Sequence, residues 1–225
     1  MVITWLQGGP FLEVSFLFQL KENKKATVTE IINKLSESPY KIKIVDDNIE
    51  EVISSFVKGY PYDEEDPNTI YIHSVELRLF IEISRERKVS LIIEQISSDS
   101  IIVDFHFYGD KDDAPEWNQI GVKEEEYTYF RNFLISLFSI YDFLIGGISW
   151  EEDIRFLFDC NEIAPNECYR NENLSPEYFL KHPSCFTEVI WNEKVKKIGD
   201  IPYPNIKIKN NGILITFKEL CSLFH

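Results

Sequence analysis

Basic residues are scarce in this chain: 23 Lys and Arg stand against 38 Asp and Glu in 225 residues, a formal net charge of −15. Phosphate contacts need lysines and arginines, so the acidic excess argues against a nucleic-acid partner and against docking on an anionic membrane. Long apolar runs are lacking too. The longest, residues 133–148, holds Asp142 and a Gly146-Gly147 break and falls short of the roughly 18 residues a membrane span requires. The first ten residues show neither a cationic stretch nor a small-residue cleavage site, which predicts a cytoplasmic location. The four cysteines, Cys160, Cys168, Cys185 and Cys221, form no C-x-x-C pair, which argues against a zinc knuckle or a redox dithiol. Four reduced thiols are expected, since a chain of this size needs no covalent staples. There is no G-x-S-x-G elbow, no phosphate-cradling glycine loop and no H-E-x-x-H. The chain therefore reads as no enzyme, with no catalytic residue, metal or cofactor assigned.

What is present is a large apolar inventory: 17 Phe, 11 Tyr and 4 Trp, with 44% hydrophobic residues overall. That is enough to bury a sizeable core and excludes global disorder. Leu12, Val14, Phe16, Phe18 and Leu20 share one phase of an alternation whose other phase holds Glu13, Ser15 and Gln19, predicting a half-buried strand. Thr27-Val28-Thr29-Glu30 reads as a capping box for a helix that stops before Pro39. A strand over Lys41–Val45 follows, then a helix capped by Asp47 or Asn48 and ended by Gly59. Residues 59–68 read as a solvated loop. Val75, Leu77, Leu79, Ile81 and Ile83 then alternate with polar residues, and a phase change near His73-Ser74 predicts a bulge or turn. With 89–96 and 101–108 they make an antiparallel meander.

Glu124-Glu125-Glu126 precede Tyr127, Phe130, Leu134, Leu137, Phe138 and Tyr141, spaced for one apolar helix face, with carboxylates suited to the helix N-terminus. Gly146-Gly147 is read as that helix's stop, and Ser149-Trp150-Glu151-Glu152 as a capping box opening a short helix through Phe158. Ser175-Pro176-Glu177 starts another. Asn210-Asn211-Gly212 turns a final hairpin, with the glycine supplying the positive φ. The expectation is an α+β fold: an antiparallel meander packed against one long amphipathic helix and several short ones. We take residues 1–225 as one domain, with a weak sub-boundary near 109–121.

The acidic excess is concentrated. Residues 99–126 hold nine carboxylates against Lys111 and Lys123, interleaved with Tyr108, Trp117 and Tyr127. Rigid aromatics beside charges are the composition of a binding surface. The Asp110-x-Asp112-Asp113 run fails the calcium-loop template, since Pro115 stands where glycine is needed and Gly121 where glutamate is needed. Asp104, His106 and Tyr108 share one strand phase and are read as a solvent-facing polar stripe.

The segments Phe107-Tyr108-Gly109-Asp110, Asp113-Ala114-Pro115-Glu116-Trp117-Asn118-Gln119-Ile120-Gly121 and Ile145-Gly146-Gly147-Ile148-Ser149-Trp150-Glu151-Glu152-Asp153 resemble those of small acidic immunity proteins of bacterial polymorphic toxin systems. The resemblance implies a cytoplasmic antitoxin that occludes a cognate toxin domain, with no catalytic residues of its own. The first reading is thus an acidic binding protein with a basic protein partner, a toxin domain foremost. Asp110, Asp112, Asp113, Glu116 and Trp117 would make first contact, with Glu151, Glu152 and Asp153 as a second patch. The alternatives are an enzyme using paired carboxylates, marked by a deep pocket enclosing two acids, and a subunit of a homo-oligomer.

Overall fold

A computed structural model of the protein describes residues 11–108, 122–183 and 186–217. The strands are β1 (Phe11–Gln19), β2 (Ile42–Ile44), β3 (Tyr60–Pro61), β4 (Tyr71–Ile72), β5 (Ser74–Ile83), β6 (Arg85–Gln95), β7 (Ser100–Tyr108), β8 (Ile145–Trp150), β9 (Phe186–Asn192), β10 (Asn205–Lys207) and β11 (Gly212–Thr216). The helices are α1 (Lys24–Lys34), α2 (Ile49–Lys58), α3 (Tyr127–Tyr141) and the one-turn α4 (Pro176–Phe179). Nine strands form one antiparallel sheet in the order β10-β11-β9-β8-β1-β7-β6-β5-β2, and β3 pairs with β4 separately. The meander is β5-β6-β7, and the N-terminal strand β1 joins it to the C-terminal half.

The α+β class holds, but the single long helix does not. A sheet of nine strands is about 40 Å wide, and one helix with its side chains covers only about 10 Å of that. Three helices share the work. Val28 and Ile31 of α1, Ile53 and Phe56 of α2, and Phe130, Phe133, Leu134 and Leu137 of α3 pack in one cluster with Leu12, Val14, Phe16, Val103, Phe105 and Phe107. The opposite sheet face carries a second cluster, in which Leu17, Ile102, Ile145 and Trp191 meet Ile154, Leu157, Phe158, Leu174 and Phe179. Its cover, residues 151–183, is built of short 3₁₀ turns and α4 rather than long helices. This second layer is why Glu13 and Ser15, expected on an open face, are buried.

Several local expectations shift for identifiable reasons. Helix α1 starts earlier, at Asn23, whose side chain accepts from the Ala26 N–H at 3.0 Å, while Thr27 is buried inside the helix. Asn48 caps α2, and Gly59 ends it at φ 66°. Helix α3 ends at Asp142, left-handed at φ 47°. Gly146 and Gly147 are not its stop; they lie mid-strand in β8, packed too tightly for a side chain. A Cβ at Gly147 would stand 2.5 Å from the Phe186 ring and 2.8 Å from the Glu188 carbonyl. Ser149 and Trp150 complete β8, so the second capping box is displaced. Asp153 caps the 3₁₀ turn Ile154–Leu157 instead. In the last hairpin Asn210 and Asn211 take the positive φ, not Gly212. Cys160 and Cys168 are disulfide-bonded, with Cα atoms 6.1 Å apart, where reduced thiols were expected. The bond staples a segment with little regular hydrogen bonding of its own. Cys185 and Cys221 lie outside the described residues.

Glu126 fastens α3 to the β5–β6 hairpin. It accepts from Ser84 Oγ at 2.8 Å, Arg87 Nη2 at 2.8 Å, Arg85 Nη2 at 3.2 Å and the Lys123 N–H at 3.0 Å. Arg87 is 1% exposed and lies over the Phe130 ring. Burial alone would raise the Glu126 pKa, but the bonds from Lys123, Ser84 and Arg87 bring it below the ordinary value. A carboxylate of this kind stabilises the fold above its unfolded pKa, and the gain is lost as pH falls through the lower folded value. Glu126→Gln, which takes the carboxylate from a buried guanidinium, should cost about 3 kcal/mol at neutral pH. In urea unfolding the gap from wild type should narrow below about pH 4. Gly147→Ala should independently cost about 2 kcal/mol through overpacking.

Candidate functional site

The register of β1 against β7 sets Glu13 opposite His106 and Ser15 opposite Asp104. Directly paired residues point to the same sheet face, so these polar side chains stand together, away from α1–α3. In β6, Glu94 lies opposite Ile102 and Ser90 opposite His106, extending the polar row. After β8 the chain turns at Glu151, held at φ 54°, and crosses over the row.

The crossing segment seals the row with an ion-pair clamp. Asp153 caps the 3₁₀ turn by accepting from the Arg155 N–H at 2.7 Å. The Arg155 guanidinium folds back onto Asp153, 2.5 Å from Nη2 to Oδ2, and reaches Glu94 Oε1 at 3.1 Å. Beneath lies a cavity of about 200 Å³ lined by Glu13, Glu94, Asp104, His106, Asp153 and Arg155 together with Ile92, Ile102, Glu151 and Phe156. Glu13 and Asp104 are 6% and 4% exposed, and His106 is half-buried.

The pocket holds more acid than base. His106 Nε2 lies 2.7 Å from Asp104 Oδ2 and 3.9 Å from Glu13 Oε1. Burial pushes the Glu13 carboxyl up to about 10, and the nearby negative charges of Asp104 and Asp153 add to the rise. Glu13 therefore carries its proton at neutral pH and can donate it to Asp104. Burial also raises the Asp104 carboxyl, against the opposing pull of His106. For His106, burial lowers the pKa, but the charge and hydrogen bond of Asp104 outweigh it and the net direction is upward. Glu94 is raised by burial, against the pull of Arg155. Glu13, Asp104 and His106 each present a ligand atom, all within 4.8 Å of one another. The arrangement can hold a proton between two carboxyls or a small cation.

The residues expected to meet a partner have different fates. Asp110, Asp112, Asp113, Glu116 and Trp117 lie outside the described residues. Glu151 is exposed at the pocket rim and Glu152 is half-buried, but Asp153 is turned inward onto Arg155. Two more acids of the 99–126 run work inside the fold. Asp99 accepts from Ser97 and Ser100 at 2.9 and 2.8 Å, and Glu126 holds the α3 junction. Asp104 and His106, read as a solvent-facing stripe, are instead covered. The trio with Glu13 was not visible in the sequence, because only the β1–β7 pairing brings residue 13 to residues 104 and 106.

A second surface stands out at the opposite end of the meander. The β3–β4 arm, residues 59–72, exposes Tyr60, Tyr62 and Tyr71 by 52%, 58% and 54%, with Ile70 and Val57 beside them. Its tip carries Asp63, Glu64, Glu65 and Asp66. The tip is an ordered turn: Asp63 Oδ1 accepts from the Glu65 N–H at 2.9 Å, Asp66 Oδ1 from the Asn68 N–H at 2.8 Å, and Thr69 Oγ1 from the Asp63 N–H at 2.8 Å. At the root, His73 Nδ1 donates to the Phe56 carbonyl at 2.8 Å.

No protein-family model, no curated protein and no solved structure matches the chain. No helix among the described residues is long and apolar enough to cross a membrane.

The raised Glu13 carboxyl makes the folded state bind one proton more than the unfolded chain from about pH 4.5 up to its folded pKa, so its contribution to stability falls as pH rises through that window. Glu13→Gln, which mimics the protonated form, should stabilise the metal-free protein by roughly 2 kcal/mol at pH 7 and by little at pH 4. Chemical denaturation at the two pH values reads the difference. Equal stability of variant and wild type at both would contradict a buried, protonated Glu13.

Proposed function

We propose that this is a binding protein that presents acidic, aromatic-bearing surface to a basic protein partner. A toxin domain is the partner that the resemblance to immunity proteins suggests, and occlusion is the corresponding mode of action. The observation that carries the reading is the β3–β4 arm, where three exposed tyrosines stand beside four carboxylates on an ordered turn. Tyrosines bury large area at small entropic cost, and a pre-ordered loop loses little freedom on docking. The charges favour encounter with a basic surface.

The acids singled out in the sequence extend the reading. Strand β7 leaves the sheet at Tyr108, paired with Phe11, and Leu12 pairs with Trp150, next to Glu151. The strand leading into Asp110–Trp117 and the strand leading into Glu151–Glu152 thus leave the same end of the sheet, separated by one strand.

A second reading has its own observation. Glu13 and Asp104 share a partly open pocket with His106, the arrangement expected of a hydrolase working through paired carboxylates. Turnover would need room for substrate beyond a cavity of about 200 Å³, which favours the binding reading.

The test is association with a candidate basic protein domain, followed across a salt series. The on-rate should fall more than about tenfold between low and physiological salt. Replacing Tyr60, Tyr62 and Tyr71 together with Ser should raise the off-rate by more than about tenfold. Glu151→Gln with Glu152→Gln should slow association a few-fold and leave the off-rate nearly unchanged. Association that ignores both salt and the tyrosines would sink the proposal.

A further inference from the structure

The polar cavity under the 151–157 crossing holds more carboxyl groups than basic side chains. Glu13, Glu94, Asp104 and Asp153 line it, and Arg155 is already committed to Asp153 and Glu94. That leaves Glu13 and Asp104, both buried, against the imidazole of His106. Asp104 Oδ1 is fully buried, and among the described residues only the Glu13 carboxyl, when it carries its proton, is placed to serve the Asp104 carboxylate. An acceptor in that position is costly unless a proton or a cation serves it.

Three features favour a cation. The donor set mixes two carboxylates with an imidazole nitrogen, which suits first-row transition metals better than magnesium or calcium. The three ligand atoms lie within 4.8 Å of one another. Metal–ligand bonds of about 2.0–2.2 Å place neighbouring ligand atoms about 3 to 4 Å apart. The 3.9 Å between Glu13 Oε1 and His106 Nε2 already fits, and the 2.7 Å between His106 Nε2 and Asp104 Oδ2 needs to open by only a few tenths of an ångström. The ligands also come from the two central strands β1 and β7, so the backbone holding them is rigid.

We propose that Glu13, Asp104 and His106 form a binding site for one divalent transition-metal ion, with Mn²⁺, Co²⁺ and Zn²⁺ the ions of the right chemistry. Glu13 and Asp104 each supply a carboxylate oxygen, and His106 supplies Nε2 once that nitrogen no longer carries a proton. Waters complete the coordination shell on the cavity side. Asp153, Glu94 and Arg155 sit around the site and shape its field without ligating. The proposal is independent of the binding reading, because it concerns the isolated chain.

The test uses the full chain stripped with a chelator and titrated separately with Mn²⁺, Co²⁺ and Zn²⁺. Calorimetry should give a single equivalent bound in the micromolar range or tighter. Co²⁺ should produce a visible ligand-field band, and Mn²⁺ should broaden the His106 ring resonances selectively in the wild-type protein. His106→Gln and Asp104→Asn should each weaken binding more than about tenfold. Asp63→Asn with Asp66→Asn, on the remote arm, should leave it unchanged. The wild-type spectroscopic readouts stand even where Asp104→Asn fails to fold. Absence of heat, band and broadening with all three ions at millimolar concentration would overturn the site, leaving the Glu13–Asp104 pair served by a proton alone. Binding that survives His106→Gln but is lost with the arm variant would overturn it as well.

Discussion

The antiparallel register of β1 against β7 is the constraint on which the polar pocket depends. With Leu12 opposite Phe107 and Glu13 opposite His106, every even residue of β1 from Leu12 to Phe18 enters the helix-covered core, and Glu13 and Ser15 enter the other layer. A slip of one residue would exchange the faces, driving carboxylates into the apolar cluster around Phe16 and Phe105. The large apolar side chains on the helical face therefore fix where the acids go, and burial of the acids follows from packing.

That burial changes the meaning of the net charge of −15. Part of it is internal. Glu126 holds a hairpin to a helix, Asp153 and Glu94 clamp Arg155, and Glu188 accepts from Arg131 across the β9–α3 contact at 2.6 Å. The acids free to face a partner are fewer than the composition suggests. They include the arm tip at Asp63–Asp66 and the rim at Glu151, at opposite ends of the meander. Charge that is buried sets the chemistry of a pocket, whereas charge that is exposed sets what approaches the surface.

Much of the fold was legible in the sequence where alternation was strong. β1, β5 and β7 follow their apolar phases, and Asn48, Gly59 and Ser175 mark helix ends as their side chains or backbone freedom dictate. Legibility failed where a distant partner decides. Gly146 and Gly147 look like a helix stop, and only the rings of Phe143 and Phe186 and the Cβ of Phe16 explain them as strand residues. The polar phase of β1 looked solvent-facing because its cover, residues 151–183, has almost no periodicity to announce a layer. The candidate site was illegible for the same reason. Asp104-x-His106 is a common spacing, and its significance comes from Glu13, some ninety positions away in the chain and adjacent in the sheet.

The most direct check is a nuclear Overhauser experiment on the His106 ring in isotopically labelled protein. The structure predicts cross-peaks to the side-chain protons of Glu13 and Asp104 and none to Leu12 or Val14. Cross-peaks to Leu12 or Val14 would mean that β1 pairs with β7 in another register, and the buried acid pocket, with everything drawn from it, would not exist.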